Sequence, residues 1–253
     1  MPDPAAPGAP PGARERRPTR KIAGAEALMR WLHPTRGIVP PSEFITLAER
    51  SGQIERLGRI AFEQAAFQMR DWMTTIQSLP EDFFVSVNLS PGQLADRSLL
   101  NDIRAVIGDN PGIANHLKLE LTESQVMTNP EHSAFMLEAL RGMGLGLALD
   151  DFGNGHSSLS YLHRFPFDTI KIPADFVSMG DNKSLGHTQA PIIKSIVTLA
   201  QDLDLMVIAE GVETPGDIEL LKGLNCRLGQ GFAFGAAMTA PEFGKHLAAQ
   251  LAK

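Results

Sequence analysis

Seven short apolar runs, separated by segments of helical length, each end in a carboxylate, an amide or a lysine, and this repetition constrains the fold more than any other feature. They are AGAEALMRW with Glu26, FFVSVNLS with Asn88, LKLELTES with Glu120 and Glu123, LGLALDDFGNG with Asp150 and Asp151, DTIKI with Lys171, LMVIAEGVE with Glu210 and Glu213, and LGQGFAFG with Gln230. Near-continuous apolar runs are what strands buried on both faces of a parallel sheet require. Strand–helix alternation over this length gives either a (β/α)8 barrel or a doubly wound sheet. A doubly wound sheet gathers function at one switch point, whereas a barrel gathers it from the ends of all its strands. Functional groups on seven strand ends therefore predict an α/β protein with a TIM-like (β/α)8 barrel. The first of eight strands would belong at the N-terminus, where the chain reads MPDPAAPGAPPGARERRPTR, so the expected barrel has its first strand missing or replaced.

That Pro-, Ala- and Gly-rich stretch cannot bury enough surface to order itself, so residues 1–20 are expected to form a mobile tail or linker and residues 21–253 the folded domain. It has no apolar segment of the secretory kind, and no window approaches the ~18–20 apolar residues of a membrane span. A cytoplasmic location is expected, as a whole protein or as the soluble part of a larger one. The net charge of −6 argues against a DNA or RNA polymer as partner, but leaves room for a phosphate-bearing small ligand held through metals. The single cysteine, Cys226, excludes an intrachain disulfide and reads as a small buried hydrophobe.

Helices are expected where the apolar residues follow a period near 3.6. PPSEFITLAERSG opens with Pro41 and Ser42 and stops at Gly52, and the next segment places Ile54, Leu57, Ala61, Ala65, Met69 and Trp72 on one face. SLLNDIRAVIG and PEHSAFMLEALRGMG follow, with further helices near 157–164, 189–204, 214–224 and 240–252. Trp31 and HPTRG read as a strand end and a turn.

Bringing Glu26, Glu120, Asp150, Asp151 and Glu210 into one mouth without cations would force large upward pKa shifts. Oxygen-rich sites suit Mg2+ or Mn2+ and not zinc, and no His/Cys ligand cluster accompanies them. Two such ions ~3.5–4 Å apart activate water and clamp the oxygens of an in-line phosphoryl displacement. Asp150 could bridge the pair while Asp151 holds the second ion. Lys171 would add a fixed positive charge, and Arg30 can hold a phosphate bidentately. Each signal alone has a bland reading: DDFG fits a turn, EGVET a helix start, EALMRW a helix, and a single lysine a solvated strand residue. Their combination and order point to phosphodiester hydrolysis. His33, His156 and His163 have no ligand partner at useful spacing and read as structural or surface residues.

The segments EALMRW, VNLS, ELTES, DDFGNGHSSLSYL, KI, AEGVE and QGFAF stand in the order of the EAL-domain family of bacterial cyclic di-GMP phosphodiesterases, which the chain resembles over about residues 22–245. The resemblance implies a barrel close to the TIM type with an antiparallel strand in the ring. It implies metal-dependent hydrolysis of cyclic di-GMP to linear pGpG. Glu26, Asn88, Glu120, Asp150, Asp151 and Glu210 match metal-binding positions; Lys171, Glu210 and Glu213 match positions tied to catalysis and site support. Arg30 and Gln230 match ligand contacts, and Glu123 matches the glutamate that steadies the loop FGNGHSS. The implied cofactors are two Mg2+ or Mn2+ ions, with Ca2+ expected to bind unproductively.

Three departures from the family pattern concern turnover: no glutamine-proline pair in residues 1–20, Pro173 where the family has aspartate, and Gly235-Ala236-Ala237 where it has serine and proline. The runner-up reading is therefore an EAL module that binds cyclic di-GMP or a protein partner with little or no hydrolysis. A generic two-metal phosphatase on a TIM-like barrel is a third. The expected strand deficit leaves two open edges, to be covered either by part of residues 1–21 or by a homodimer contact or swapped element. A sensor or signalling partner is expected outside this module.

Overall fold

In a computed structural model, residues 21–108, 111–154, 162–177 and 186–252 are described. The element order is β1 (Gly24–Ala27), β2 (Trp31–His33), β3 (Gly37–Val39), α1 (Pro41–Arg50), α2 (Ile54–Thr75), β4 (Phe84–Asn88), α3 (Pro91–Ala95) and α4 (Ser98–Ile107). After a 3-10 turn (Pro111–His116) come β5 (Leu117–Thr122), α5 (Glu123–Met127), α6 (Pro130–Gly142), β6 (Gly146–Asp150) and β7 (Thr169–Ile172). The chain continues with α7 (Ala174–Val177), α8 (Gly186–Asp202), β8 (Met206–Ala209), α9 (Pro215–Gly223), β9 (Leu228–Gly229) and α10 (Ala240–Leu251).

Seven strands form one parallel sheet in the order β1-β4-β5-β6-β7-β8-β9. Strand spacing is about 4.8 Å, so in a flat sheet the edge strands would lie about 29 Å apart. Gln230, at the end of β9, nevertheless donates a hydrogen bond to Glu26 on β1. The sheet is therefore curled into an open TIM-type barrel, as expected for a barrel short of one strand. Among the described residues no strand pairs between β1 and β9, and none of the sheet's pairings is antiparallel, so the antiparallel ring strand implied by the resemblance is not among them. Of residues 1–21, part of which is one of the two expected covers for this edge, residues 1–20 lie outside the described residues, as does most of the helix expected near 157–164.

The strands read as apolar because both faces are covered: all but the last residue of β5, and every residue of β7, are buried. Leu117, Leu119 and Leu121 pack among helical residues such as Met69, Leu137 and Leu140 in the main core. The intervening residues face the other way. Register pairs Glu26 with Ser86, Ser86 with Lys118, Asn88 with Glu120 and Thr122 with Asp150. Side chains alternate along a strand with a period of two, so register partners share a face and the concave interior receives the polar set.

The helices form and stop for local reasons. Pro at the first turn opens α1, α3, α6, α9 and α10, where the missing N–H has no helical partner to lose. Ser90, Thr122, Thr214 and Thr239 each complete a capping box. In α10, Phe243 packs on Trp72 and Phe83 with ring centroids 5.2 and 6.4 Å apart, and Gln250 Oε1 accepts from the Ile22 N–H at 2.6 Å. The last helix thus holds the segment entering β1.

Trp31–Val39 departs from the sequence expectation. It is a two-stranded antiparallel hairpin with Leu32 opposite Ile38, not a turn alone. Three-residue strands are too short to display a period. No described helix is long and apolar enough to cross a membrane.

Candidate active site

Five strands contribute to one cluster at the C-terminal rim of the sheet. Lys171 Nζ, from β7, lies 2.7 Å from Glu120 Oε2 of β5 and 2.6 Å from Glu210 Oε1 just after β8. Asp150 Oδ1 of β6 is 3.6 Å away and Glu26 Oε2 of β1 is 3.7 Å away. Both side chains of the Lys171–Glu120 pair are 1% exposed, which places the centre of the cluster out of water. Glu26 Oε1 accepts from Asn88 Nδ2 at 2.9 Å and Glu26 Oε2 from Gln230 Nε2 at 2.5 Å, so two amides aim that carboxylate.

Burial pushes Glu120 up to about 7, against the pull of the Lys171 ammonium; Glu26 adds repulsion, and a hydrogen bond from Ser86 opposes the rise. Burial likewise raises Asp150 and Glu210, again against Lys171. Burial would lower the lysine, but Glu120, Glu26, Glu210 and Asp150 outweigh it and hold Lys171 above its ordinary value. Lys171 is therefore protonated, a fixed charge and not a base.

Other sequence-proposed residues stand off this centre. Asp151 is exposed with a left-handed backbone at φ 55°, and its N–H donates to Asp150 Oδ1 at 3.0 Å. Arg30 is exposed and donates to its neighbour's carbonyl, Met29 O, at 2.9 Å. Glu213 is exposed, and its N–H donates to the buried Asp217 carboxylate at 3.1 Å. Glu123 opens α5 and is half-buried, while residues 155–158 of the loop it was expected to steady, FGNGHSS, lie outside the described residues. His33 accepts from Thr35 N at 3.2 Å within the hairpin turn, a structural role. Cys226 is buried, and burial raises its thiol to about 11, in keeping with a packed hydrophobe.

Ser86 escaped the sequence reading, although it lies two residues before Asn88 on the same strand face. It is 2% exposed and hydrogen-bonds Glu120.

The donor set is all oxygen, the chemistry hard divalent ions prefer. Among the described residues, however, no three acidic, histidine or cysteine side chains converge closely enough to hold one ion as they stand. The carboxylates face the lysine instead.

Residues 16–237 match the EAL domain family. The bifunctional diguanylate cyclase/cyclic di-GMP phosphodiesterase MucR of Pseudomonas aeruginosa is 38% identical over 227 residues, which are 89% of this chain and 32% of MucR. The cyclic di-GMP phosphodiesterase NbdA of the same organism is 37% identical over 209 residues, 83% of this chain and 26% of NbdA. The chain thus spans about a third or less of the length of these two relatives. The solved structure of the PaMucR phosphodiesterase in complex with c-di-GMP matches with a TM-score of 0.82 at 38% identity, covering 89% of each chain. A manganese/cy-diGMP complex of BlrP1 from Klebsiella pneumoniae matches with a TM-score of 0.64 at 31% identity, covering 82% of this chain and 49% of that one. This chain, with its acidic strand ends around a buried lysine, belongs to the EAL domain family.

Proposed function

We propose that the chain hydrolyses one phosphodiester of cyclic di-GMP to linear pGpG with two Mg2+ or Mn2+ ions. The observation that carries this reading is the gathering of Glu26, Glu120, Asp150 and Glu210 from four strands within 4 Å of one point. The phosphodiesterases MucR and NbdA, and the c-di-GMP complex of PaMucR, supply the substrate class. Glu26, Asn88, Glu120, Asp150, Asp151 and Glu210 would hold the ions, with Ca2+ taking the same oxygens unproductively. When bound, such ions lower the pKa of water and neutralise phosphoryl oxygens in an in-line displacement.

The chain's own residues prepare that chemistry. Asn88 and Gln230 orient Glu26 through its two oxygens. Lys171 keeps its proton and offers a positive charge to the developing oxyanion. Arg30, exposed at the rim, is free to swing from the Met29 carbonyl to a phosphate of the ligand. Glu213 and Asp217 support the turn that carries Glu210. Glu123 is assigned to the loop after the aspartate pair.

A second reading, a module that binds cyclic di-GMP with little turnover, draws on Pro173, which is buried directly after the Lys171 strand. The edges of β1 and β9, unpaired among the described residues, support a homodimer or a strand-adding partner, which sedimentation would test. One assay separates the two functional readings. The chain is incubated with cyclic di-GMP and Mg2+, Mn2+, Ca2+ or EDTA, and the products are resolved by chromatography. Production of pGpG with Mg2+ or Mn2+ alone is expected; binding without product would favour the second reading, and neither binding nor product would overturn both.

A further inference from the structure

The carboxylate cluster is held by an ammonium where it is expected to hold ions, and the geometry of that ammonium has a consequence for metal loading. An ammonium donates at most three hydrogen bonds. Lys171 Nζ makes close ion pairs with Glu120 and Glu210 and keeps Asp150 and Glu26 a further ångström out, at 3.6 and 3.7 Å. A divalent ion such as Mg2+ demands oxygens converging at about 2.0–2.1 Å. The lysine thus gathers these oxygens at 2.6–3.7 Å from its Nζ, wider than one divalent ion would hold them.

We infer that Lys171 is a tethered place-holder for the cations: its ammonium supports the fold in the absence of metal and competes with divalent ions for the oxygens of Glu120 and Glu210. The inference rests on the two-metal reading above. With all four carboxylates ionised, the Lys171 ammonium brings the net charge of the cluster from −4 to −3. The pair with Glu120 is fully buried, so removing the lysine would leave carboxylates facing one another in a poorly solvated space. The same removal would free two oxygens and deepen the negative potential that draws in a dication. A purely structural ion pair behaves differently, because its loss weakens the fold with or without metal and does nothing to tighten metal binding.

The test compares wild type with Lys171→Met, both stripped with EDTA, by calorimetric titration with Mn2+ and by thermal melts with and without Mn2+. Lys171→Met should bind Mn2+ at least tenfold more tightly. Its metal-free melting temperature should fall below that of wild type, and saturating Mn2+ should close most of the gap. Unchanged or weaker Mn2+ binding, or a loss of melting temperature that Mn2+ leaves undiminished, would overturn the inference. If Lys171→Met does not fold without metal, the double variant Lys171→Met/Glu120→Gln, which removes one of the opposed charges, should regain a cooperative metal-free melt; its failure to do so would also overturn it. Wild type that binds no Mn2+ would sink both this inference and the two-metal reading. Intact Mn2+ binding with no hydrolysis would sink the phosphodiesterase reading alone.

Discussion

Gln230 donates its side-chain amide to Glu26 at 2.5 Å, and this one contact joins the two edge strands of the curled sheet at its rim. Glu26 thereby has a partner on each oxygen, since Asn88 holds the other at 2.9 Å. Residues that orient a metal-binding side chain commonly account for about 10–100-fold in metal affinity or activity. Gln230→Ala should weaken Mn2+ binding by roughly tenfold on that basis. Calorimetry on the stripped protein reads it, and an unchanged affinity would show that the contact does not position Glu26.

Ion binding should also appear as stability. Ions that bind the native state alone add about 2.7 kcal/mol at a hundredfold excess over Kd. Mg2+ and Mn2+ should each raise the melting temperature, and Ca2+ should do so without supporting turnover. A melting temperature indifferent to millimolar Mg2+ and Mn2+ would count heavily against an ion site here.

Glu26→Ala and Asp150→Asn should abolish hydrolysis while circular dichroism stays that of wild type. Both side chains sit at strand ends on the polar side of the sheet and contribute little to the apolar core. Asp150→Asn should be the more damaging, because Asp150 is the residue assigned to bridge the two ions. Near-normal turnover by Asp150→Asn would remove that assignment.

The strand period explains which parts of the site could be read from the sequence. Glu26, Asn88, Glu120, Asp150, Lys171 and Glu210 each close or follow an apolar run, and alternation puts them on one face. Ser86 carries the same signal, but mid-strand, where a serine looks like filler. Arg30, Asp151 and Glu213 lie beyond their strands, where turn geometry and not period decides direction, and none of them joins the central cluster. The position of Lys171 at the centre was not legible: period gives a face but not how far a long side chain reaches. Helix α2 followed its expected span closely through apolar spacing alone, and α6 and α9 did so because caps and terminal glycines agreed with the pattern there.

A second charged network lies near the opposite, N-terminal ends of the strands and should govern acid stability. Asp168 accepts from Lys118, from Arg141 at 2.6 Å, from Thr169 at 2.7 Å and from the Leu147 N–H at 3.1 Å. Burial would raise this carboxyl, but Lys118 and the hydrogen bonds outweigh it and hold it below the usual aspartate value of 3.8. A depressed folded-state value stabilises at pH above the unfolded value and is lost as pH falls through the folded one. Asp168→Asn should therefore cost roughly 2–4 kcal/mol at neutral pH, because it strips a charge from a half-buried cluster. The difference from wild type should shrink as pH falls below about 4, where the unfolded chain takes up the proton, and be lost once pH falls through the lowered folded-state value. Urea midpoints at pH 7 and pH 3 measure this, and an equal penalty at both would refute a charge-based role.

Gly211 joins Glu210 to the turn that carries Glu213, and its backbone admits nothing larger. Its φ is 63°, and a Cβ built there would stand 2.3 Å from Ala174 Cβ and 2.9 Å from Ala174 Cα. Left-handed backbone costs an alanine about 1–2 kcal/mol, and overpacking adds typically 1–3 kcal/mol. Relief can come only by moving the β8 exit or α7, and the preceding residue is Glu210, whose carboxylate lies 2.6 Å from Lys171. A misplacement of ~1 Å can reduce a rate about a hundredfold. Gly211→Ala should therefore lose roughly 2–4 kcal/mol of stability and most of its hydrolysis. Gly223, at the end of α9, has nothing within 4 Å of its Cβ position, so Gly223→Ala should leave turnover unchanged and keep or improve stability. Urea midpoints and initial rates for the two variants decide the matter, and a Gly211→Ala protein as stable and active as Gly223→Ala would show that Glu210 does not depend on this close approach.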